Sequence, residues 1–197
     1  MPSRHPLSRR AVIVGALAGA AIPGFPHGSD AAEITLNEDG LPQVEWFLQS
    51  LLELADDVEL ASRNGKRLAV MWELRGCPYC RETHVRNLGD PAIAAYIRDK
   101  FEVLQLNVAG DRKVVDLDGE TLTERRLAEK YGVRFTPTFQ FFGENVSAVK
   151  GKPPREREVA RAQGYLEPKH FLALFRFVAD KAYEKGSLRD YLRAQGA

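Results

Sequence analysis

The chain predicts an α/β fold: a sheet with at least one crossover connection and helices over both faces. Two observations carry this. Apolar residues recur with helical spacing in some segments and as short unbroken runs in others, and the two kinds alternate along the chain. Gly, Pro, Asn and Asp punctuate the joins. The composition agrees: 197 residues, 44% hydrophobic and 28% charged, describe one globular domain rather than a disordered chain. Lys plus Arg number 28 against 27 Asp plus Glu, so no long-range field holds a polyanion, and nucleic acid is not the expected partner. No apolar run reaches the roughly 18 residues that a spanning helix needs.

The first 31 residues read as an export signal. Arg4, Arg9 and Arg10 precede a 12-residue apolar run, Ala11 to Ile22, and then Pro23 and small or polar residues. Ser8-Arg9-Arg10-Ala11-Val12-Ile13 is similar to a twin-arginine signal, although Val12 and Ile13 replace the bulkier pair usual there. A buried N-terminal helix with basic flanks is the competing reading. Ser29-Asp30-Ala31 places the expected cut after Ala31, and 32–41 is expected to be a linker. Loss of three arginines and Asp30 turns 28 against 27 into 25 against 26, a mature chain at −1. Its two cysteines then work in a periplasmic, oxidising compartment.

The domain is expected over 42–197. Val44, Phe47, Leu48, Leu51, Ala55 and Val58 keep helical spacing, with Asn64-Gly65 as the stop. Leu68 to Trp72, continuously apolar, reads as a buried central strand. Pro78 to Leu88 reads as a helix stopped by Gly89, and Asp90-Pro91 as cap and first position of the next, to Asp99. Phe101 to Val108 is a second strand. A polar stretch with an Asp118-Gly119 turn follows, and Thr121 to Glu124 reads as a capping box for a helix through Tyr131, closed by Gly132. Thr138 to Phe142 is a third strand, with Pro137 at its start. Lys150 to Arg157 reads as a solvated, charged loop, Val159 to Gln163 as an edge strand, Phe171 to Ala182 as a core-facing helix, and Leu188 to Ala194 as a short one.

The chemistry lies at Gly76-Cys77-Pro78-Tyr79-Cys80-Arg81, where a buried strand ends and a helix begins. With Cys77 as N-cap and Pro78 as first helical residue, free amides of the first turn face the Cys77 sulfur and stabilise its thiolate. Cys80, one turn on, is placed to resolve a mixed disulfide formed by Cys77. Two other readings compete. As a staple, the pair closes four residues, for which loop entropy gives about 1.9 kcal/mol against about 3 for fifteen. As half a zinc site it lacks partners, since only His84 and His170 remain after the signal.

The constellation resembles the thioredoxin superfamily over about 42–185. The resemblance rests on the order of elements, the CPYC dithiol after a central strand, and Tyr131-Gly132-Val133-Arg134-Phe135-Thr136-Pro137-Thr138, which looks like that family's cis-proline loop. It implies a thioredoxin fold with a central mixed sheet flanked by helices, an N-terminal helical extension, and an insertion in Asn107 to Thr123 before the proline loop. CPYC also occurs in glutaredoxins, but a Gly-Gly-Asp-type glutathione signature after the proline is absent. A closer resemblance is to the periplasmic SoxW-type proteins of bacterial sulfur oxidation, through Gly110-Asp111-Arg112, Asp116-Leu117-Asp118-Gly119 and Gly164-Tyr165-Leu166. That resemblance implies thiol-disulfide exchange with an exported disulfide-bearing protein, a cysteine-bearing sulfur carrier being the expected one. Electrons would come from a membrane thiol transporter, with no cofactor beyond the Cys77–Cys80 disulfide and no metal. Thr136 and Pro137 would receive an extended substrate segment, and Pro78 and Tyr79 complete the redox motif.

One departure stands out. Thioredoxins keep a buried Asp six residues before the first cysteine, and Met71 occupies that place. Glu73, two residues on and on the same side of a strand, is a candidate proton relay for Cys80; an exposed strand-end acid is the equal alternative. His84 shares the helix face of the cysteines and reads as a packed or capping histidine rather than a base. The direction of electron flow stays open between reductase and disulfide-forming oxidase or isomerase, as does a non-catalytic redox-sensitive binding module or chaperone.

Overall fold

In the computed structural model, which describes Met1 and residues 34–195, the elements in chain order are α1 (Leu54–Arg63), β1 (Arg67–Glu73), α2 (Pro78–Glu82) and a π-helical turn (Thr83–Leu88) that continues it. There follow α3 (Pro91–Lys100), β2 (Phe101–Asn107), β3 (Lys113–Val115), β4 (Thr121–Thr123), α4 (Glu124–Lys130) and β5 (Thr138–Phe142). The chain ends with α5 (Val146–Val149), β6 (Glu158–Gln163), α6 (Pro168–Ala179) and α7 (Leu188–Ala194). Contacts divide the chain into Met1–Ala31 and Ala32–Ala197. The export signal and its cleavage site, Met1 apart, lie outside the described residues.

β1 is buried at every position, which requires cover on both faces and neighbours on both edges. Both are present. β2 runs parallel to β1, with α2 and α3 as the crossover, and β5 runs antiparallel on the other side. β6, antiparallel to β5, completes a mixed sheet of order β2-β1-β5-β6. Alternation along β1 divides the core in two. Ala69 and Met71 face Ile93, Ile97 and the Phe171–Val178 stripe of α6, while Leu68, Val70 and Trp72 face Leu54 and Val58 of α1 and Leu127 of α4. Phe175 sits among Phe101, Phe139, Phe141 and Phe171 with ring centroids 4.9 to 5.7 Å away, edge-on or tilted, as aromatic quadrupoles prefer. The fold class is the one the sequence implies.

Several local expectations need correction. The N-terminal helix is present but begins at Leu54, ten residues later than Val44. The Leu52 amide is taken by Ser50 Oγ, Leu52 has φ +64°, and the Leu48 amide bonds Val103 O instead of continuing a helix. Phe47 is buried without one, and Leu51 is 93% exposed. Within the expected linker, Asn37 donates its side-chain amide to Gln105 Oε1 and Leu41 is fully buried, so this stretch is tied to the domain from Asn37 onward. The polar stretch after β2 holds a hairpin, β3 to β4, that the sequence reading passed over. Thr121 is in β4, so Thr123 caps α4 through its bond from the Arg126 amide, while Glu124 turns inward. Arg157, expected in a solvated loop, is 5% exposed. Asp90 caps α3 as expected, accepting from the Ala92 and Ile93 amides.

Candidate functional site: a dithiol at the end of the central strand

β1 leaves the sheet at Glu73, and a turn carries the chain into α2. Gly76 holds φ +74° there, a conformation that L side chains resist, and so presents Cys77 as N-cap with Pro78 in the first helical position. The two cysteines form a disulfide with Cα atoms 5.3 Å apart. Their surroundings differ. Cys77 is half-buried, whereas Cys80 is 1% exposed. Cys77 Sγ accepts the Cys80 amide at 3.1 Å and the Thr136 hydroxyl at 3.3 Å. Two donors aimed at one sulfur favour its thiolate once the disulfide is reduced.

The second donor comes from a distant loop. The Thr136–Pro137 bond is cis, and Thr136 O lies 3.5 Å from Cys77 Sγ. Tyr131 and Gly132 end α4, Gly132 with φ +63°, and the chain returns past the dithiol into β5. Pro137 is buried under this loop, while Phe135 is 61% exposed beside it. Tyr79, 62% exposed, stacks on Tyr165 at 6.4 Å.

Beneath the cysteines the exposed strand-end reading of Glu73 fails, because Glu73 is fully buried. His84 Nε2 lies 2.9 and 3.1 Å from its two carboxylate oxygens, and Gln105 donates its side-chain amide to Oε2. A carboxylate only accepts, so with Glu73 ionised Nε2 carries the ring hydrogen. Gln105 is itself held: its amide also donates to Pro42 O, and its Oε1 accepts from Asn37. Glu73 follows Met71 by two on one strand face, and Gln105 stands opposite Met71 in the parallel register, which brings these groups under α2. Sequence reading gave His84 no polar partner and passed over Gln105. The four-residue step from Cys80 to His84 was visible; the partner across the sheet was not.

The insertion holds no second reactive group. Arg112 bonds both oxygens of buried Glu124, which also accepts the Asn107 amide. A side chain at Gly110 would collide with that carboxylate, so glycine is required by close approach. Among the described residues there is no cluster of His, Cys, Asp and Glu that could hold a metal ion, and no helix long and apolar enough to cross a membrane.

Comparison with known proteins follows the same lines. No curated protein matches the chain by sequence. Among solved structures it is similar to a thioredoxin-fold protein from Helicobacter pylori, 22% identical with a TM-score of 0.50, over 68% of this chain and 86% of that one. It is similar also to a thioredoxin from Thermus thermophilus, 26% identical with a TM-score of 0.49, over 67% of this chain and 88% of that one. With residues 54–179 matching the thioredoxin-like domain family, and with a mixed sheet that sets a cysteine pair at the end of its central strand, the chain belongs to that family.

Proposed function

We propose that the protein is a thiol-disulfide oxidoreductase of the periplasm that reduces disulfides in an exported partner. The observation that carries this reading is the asymmetry of the pair: Cys77 is reachable and receives two hydrogen bonds on sulfur, whereas Cys80 is enclosed. In the reduced protein the Cys77 thiolate attacks a substrate disulfide. A Cys77–substrate bond forms, the substrate S–S bond breaks, and the departing sulfur leaves as a thiolate and takes up a proton. Cys80 then loses its proton and attacks Cys77 Sγ, forming the Cys77–Cys80 disulfide and releasing the second substrate thiol, so that two electrons pass to the substrate. The buried Glu73–His84 pair, on the sheet face beneath α2, receives the Cys80 proton in this reading, since Cys80 itself is only 1% exposed. The backbone of Thr136 pairs with the extended substrate segment by strand addition.

The partner and compartment rest on sequence. The basic and apolar N-terminus supports export, and the motifs at Gly110, Asp116 and Gly164 support a SoxW-type role with a sulfur-carrier protein as substrate. A membrane thiol transporter then supplies the two electrons that restore the dithiol.

The test is trapping. Cys80→Ser accumulates mixed disulfides with protein partners, while Cys77→Ser accumulates none. Equal trapping by both, or alkylation of Cys80 before Cys77 in the reduced protein, overturns the assignment.

A further inference from the structure

Resting on the reading that polypeptide disulfides are exchanged at Cys77, we propose that the rim of the dithiol selects an acidic substrate segment with an apolar side chain beside its cysteine. Three segments form that rim: the β1–α2 turn, the first turn of α2 and the loop before Pro137. Each presents one large apolar side chain to solvent, namely Leu74 (40% exposed), Tyr79 and Phe135. Tyr79 stacks on Tyr165 at 6.4 Å, a loose contact that orients its ring while leaving its outer face open.

Each segment also presents one exposed arginine. Arg75 stands two residues before Cys77, Arg81 directly after Cys80, its amide bonded to Cys77 O, and Arg134 two residues before Thr136. None of the three bonds a carboxylate among the described residues; Arg75 Nε donates to the backbone oxygen of Asp39. The carboxylates nearby are already engaged. Glu82 and Glu167 both face Arg86, Asp39 lies 3.8 Å from Arg112, and Glu73 is buried against His84. Arg86 and Arg112 each serve two carboxylates, so the positive surplus is local to the lip of the site, where Arg75, Arg81 and Arg134 have no carboxylate of their own among the described residues. Unpaired charge around an apolar contact surface favours encounter with a segment of opposite sign and disfavours one of like sign. Disulfide exchange confines that occupant to a cysteine-bearing polypeptide.

The test uses homodimeric peptide disulfides that differ only beside the cysteine: Asp and Glu, Ser, or Lys, each with one neighbouring Leu. Reduction by the full chain is followed with dithiothreitol as the electron source. At low salt the acidic peptide reacts about tenfold faster than the basic one, and the gap closes to within about threefold near 1 M salt, where exposed charges are screened. Joint replacement Arg75→Glu, Arg81→Glu and Arg134→Glu reverses the order. Fluorescence anisotropy with labelled peptides bearing Ser in place of Cys reads docking without chemistry, and the acidic peptide binds more tightly. Equal rates for the three peptides in the native chain, or an order that charge reversal leaves unaltered, overturns the inference even if exchange itself is brisk. Tighter binding of the acidic analogue by a chain that exchanges no disulfide, including neutral hydroxyethyl disulfide, upholds the inference and sinks the oxidoreductase reading instead.

Discussion

The dithiol and the insertion treat charge in opposite ways. At the dithiol, Arg75, Arg81 and Arg134 stand in solvent without carboxylate partners, and the one buried acid, Glu73, is paired with a histidine rather than with a permanent cation. At the insertion, every buried charge is cross-linked. Arg157 bonds Asp116 at 2.9 Å, Asp118 at 2.9 Å, the Tyr131 hydroxyl at 3.1 Å and Lys152 O at 2.7 Å. Lys130 adds bonds to Asp116, Asp118 and Glu120. The network ties the β3–β4 hairpin to the end of α4 and to the segment before β6. Burial with few ionic ties fits the proton relay proposed for Glu73. Burial with many suits a part whose charges never need to change.

The largest effect expected from breaking this contrast is at Arg157. Replacement by Met leaves Asp116 buried with Lys130 as its remaining cation, and the loss of stability is about 3 kcal/mol, at the lower end for a broken buried pair. Urea unfolding measures it, and exchange with a small neutral disulfide in the folded variant stays at the native rate. A variant as stable as the native chain, or one folded but slow in exchange, would dissolve the division between the two regions.

The complementary change is Glu73→Gln, which keeps the shape and an accepting oxygen for Gln105, obliges His84 to change tautomer to accept the new N–H, and cannot take up the Cys80 proton. Resolution of the mixed disulfide should slow by roughly ten- to a hundredfold, toward the low end of what a positioned base supplies. Alkylation of Cys77 should stay unaltered, and stability should shift by less than about 1.5 kcal/mol. Stopped-flow measurement of the two steps separates them. If both steps slow together, Glu73 is holding the site in shape rather than moving a proton.

The smallest effect belongs to pH. Burial pushes the Asp118 carboxyl up, but bonds from Lys130 and Arg157 and from the Glu120 amide outweigh it and hold the group well below the usual carboxylate range. A depressed folded value means that its contribution is complete above the unfolded value, near about 4, and is lost as pH falls further. Asp118 keeps 35% of its side chain exposed, so the contribution is at most about 1 kcal/mol after screening. Urea midpoints from about pH 5 down to about pH 2 should fall, and Asp118→Asn should flatten part of that slope. An unaltered slope would show that the insertion's ties are worth no more than ordinary surface pairs.

What the sequence made readable was local. The cap at Asp90, the N-cap and first-turn proline of the dithiol, the unbroken strand through Met71 and the stripe of α6 each depend on residues within a turn or two of one another. Partners separated by long stretches of chain were out of reach. Arg157 and Asp116 lie 41 residues apart, and nothing in a mixed-sign loop distinguishes an arginine that turns inward from one that stays in water. Helical spacing misled at Val44 to Leu51 because an extended strap crossing a sheet edge also buries residues at irregular intervals; Phe47 goes in and Leu51 stays out. For Glu73 the sequence left two readings, a proton relay and an exposed strand-end acid; burial on the Met71 face rules out the exposed one, and the relay stays a proposal.

The strap has a further consequence. Asn37 and Pro42 hold the Gln105 amide against Glu73, and the Phe47 ring lies 6.1 Å from that of His84. These residues precede the family match, which starts at residue 54. The boundary of the inherited domain and the boundary of the working unit therefore fall in different places. A chain trimmed to the shared domain would keep both cysteines and the proline loop, yet would open the acid beneath them to bulk water.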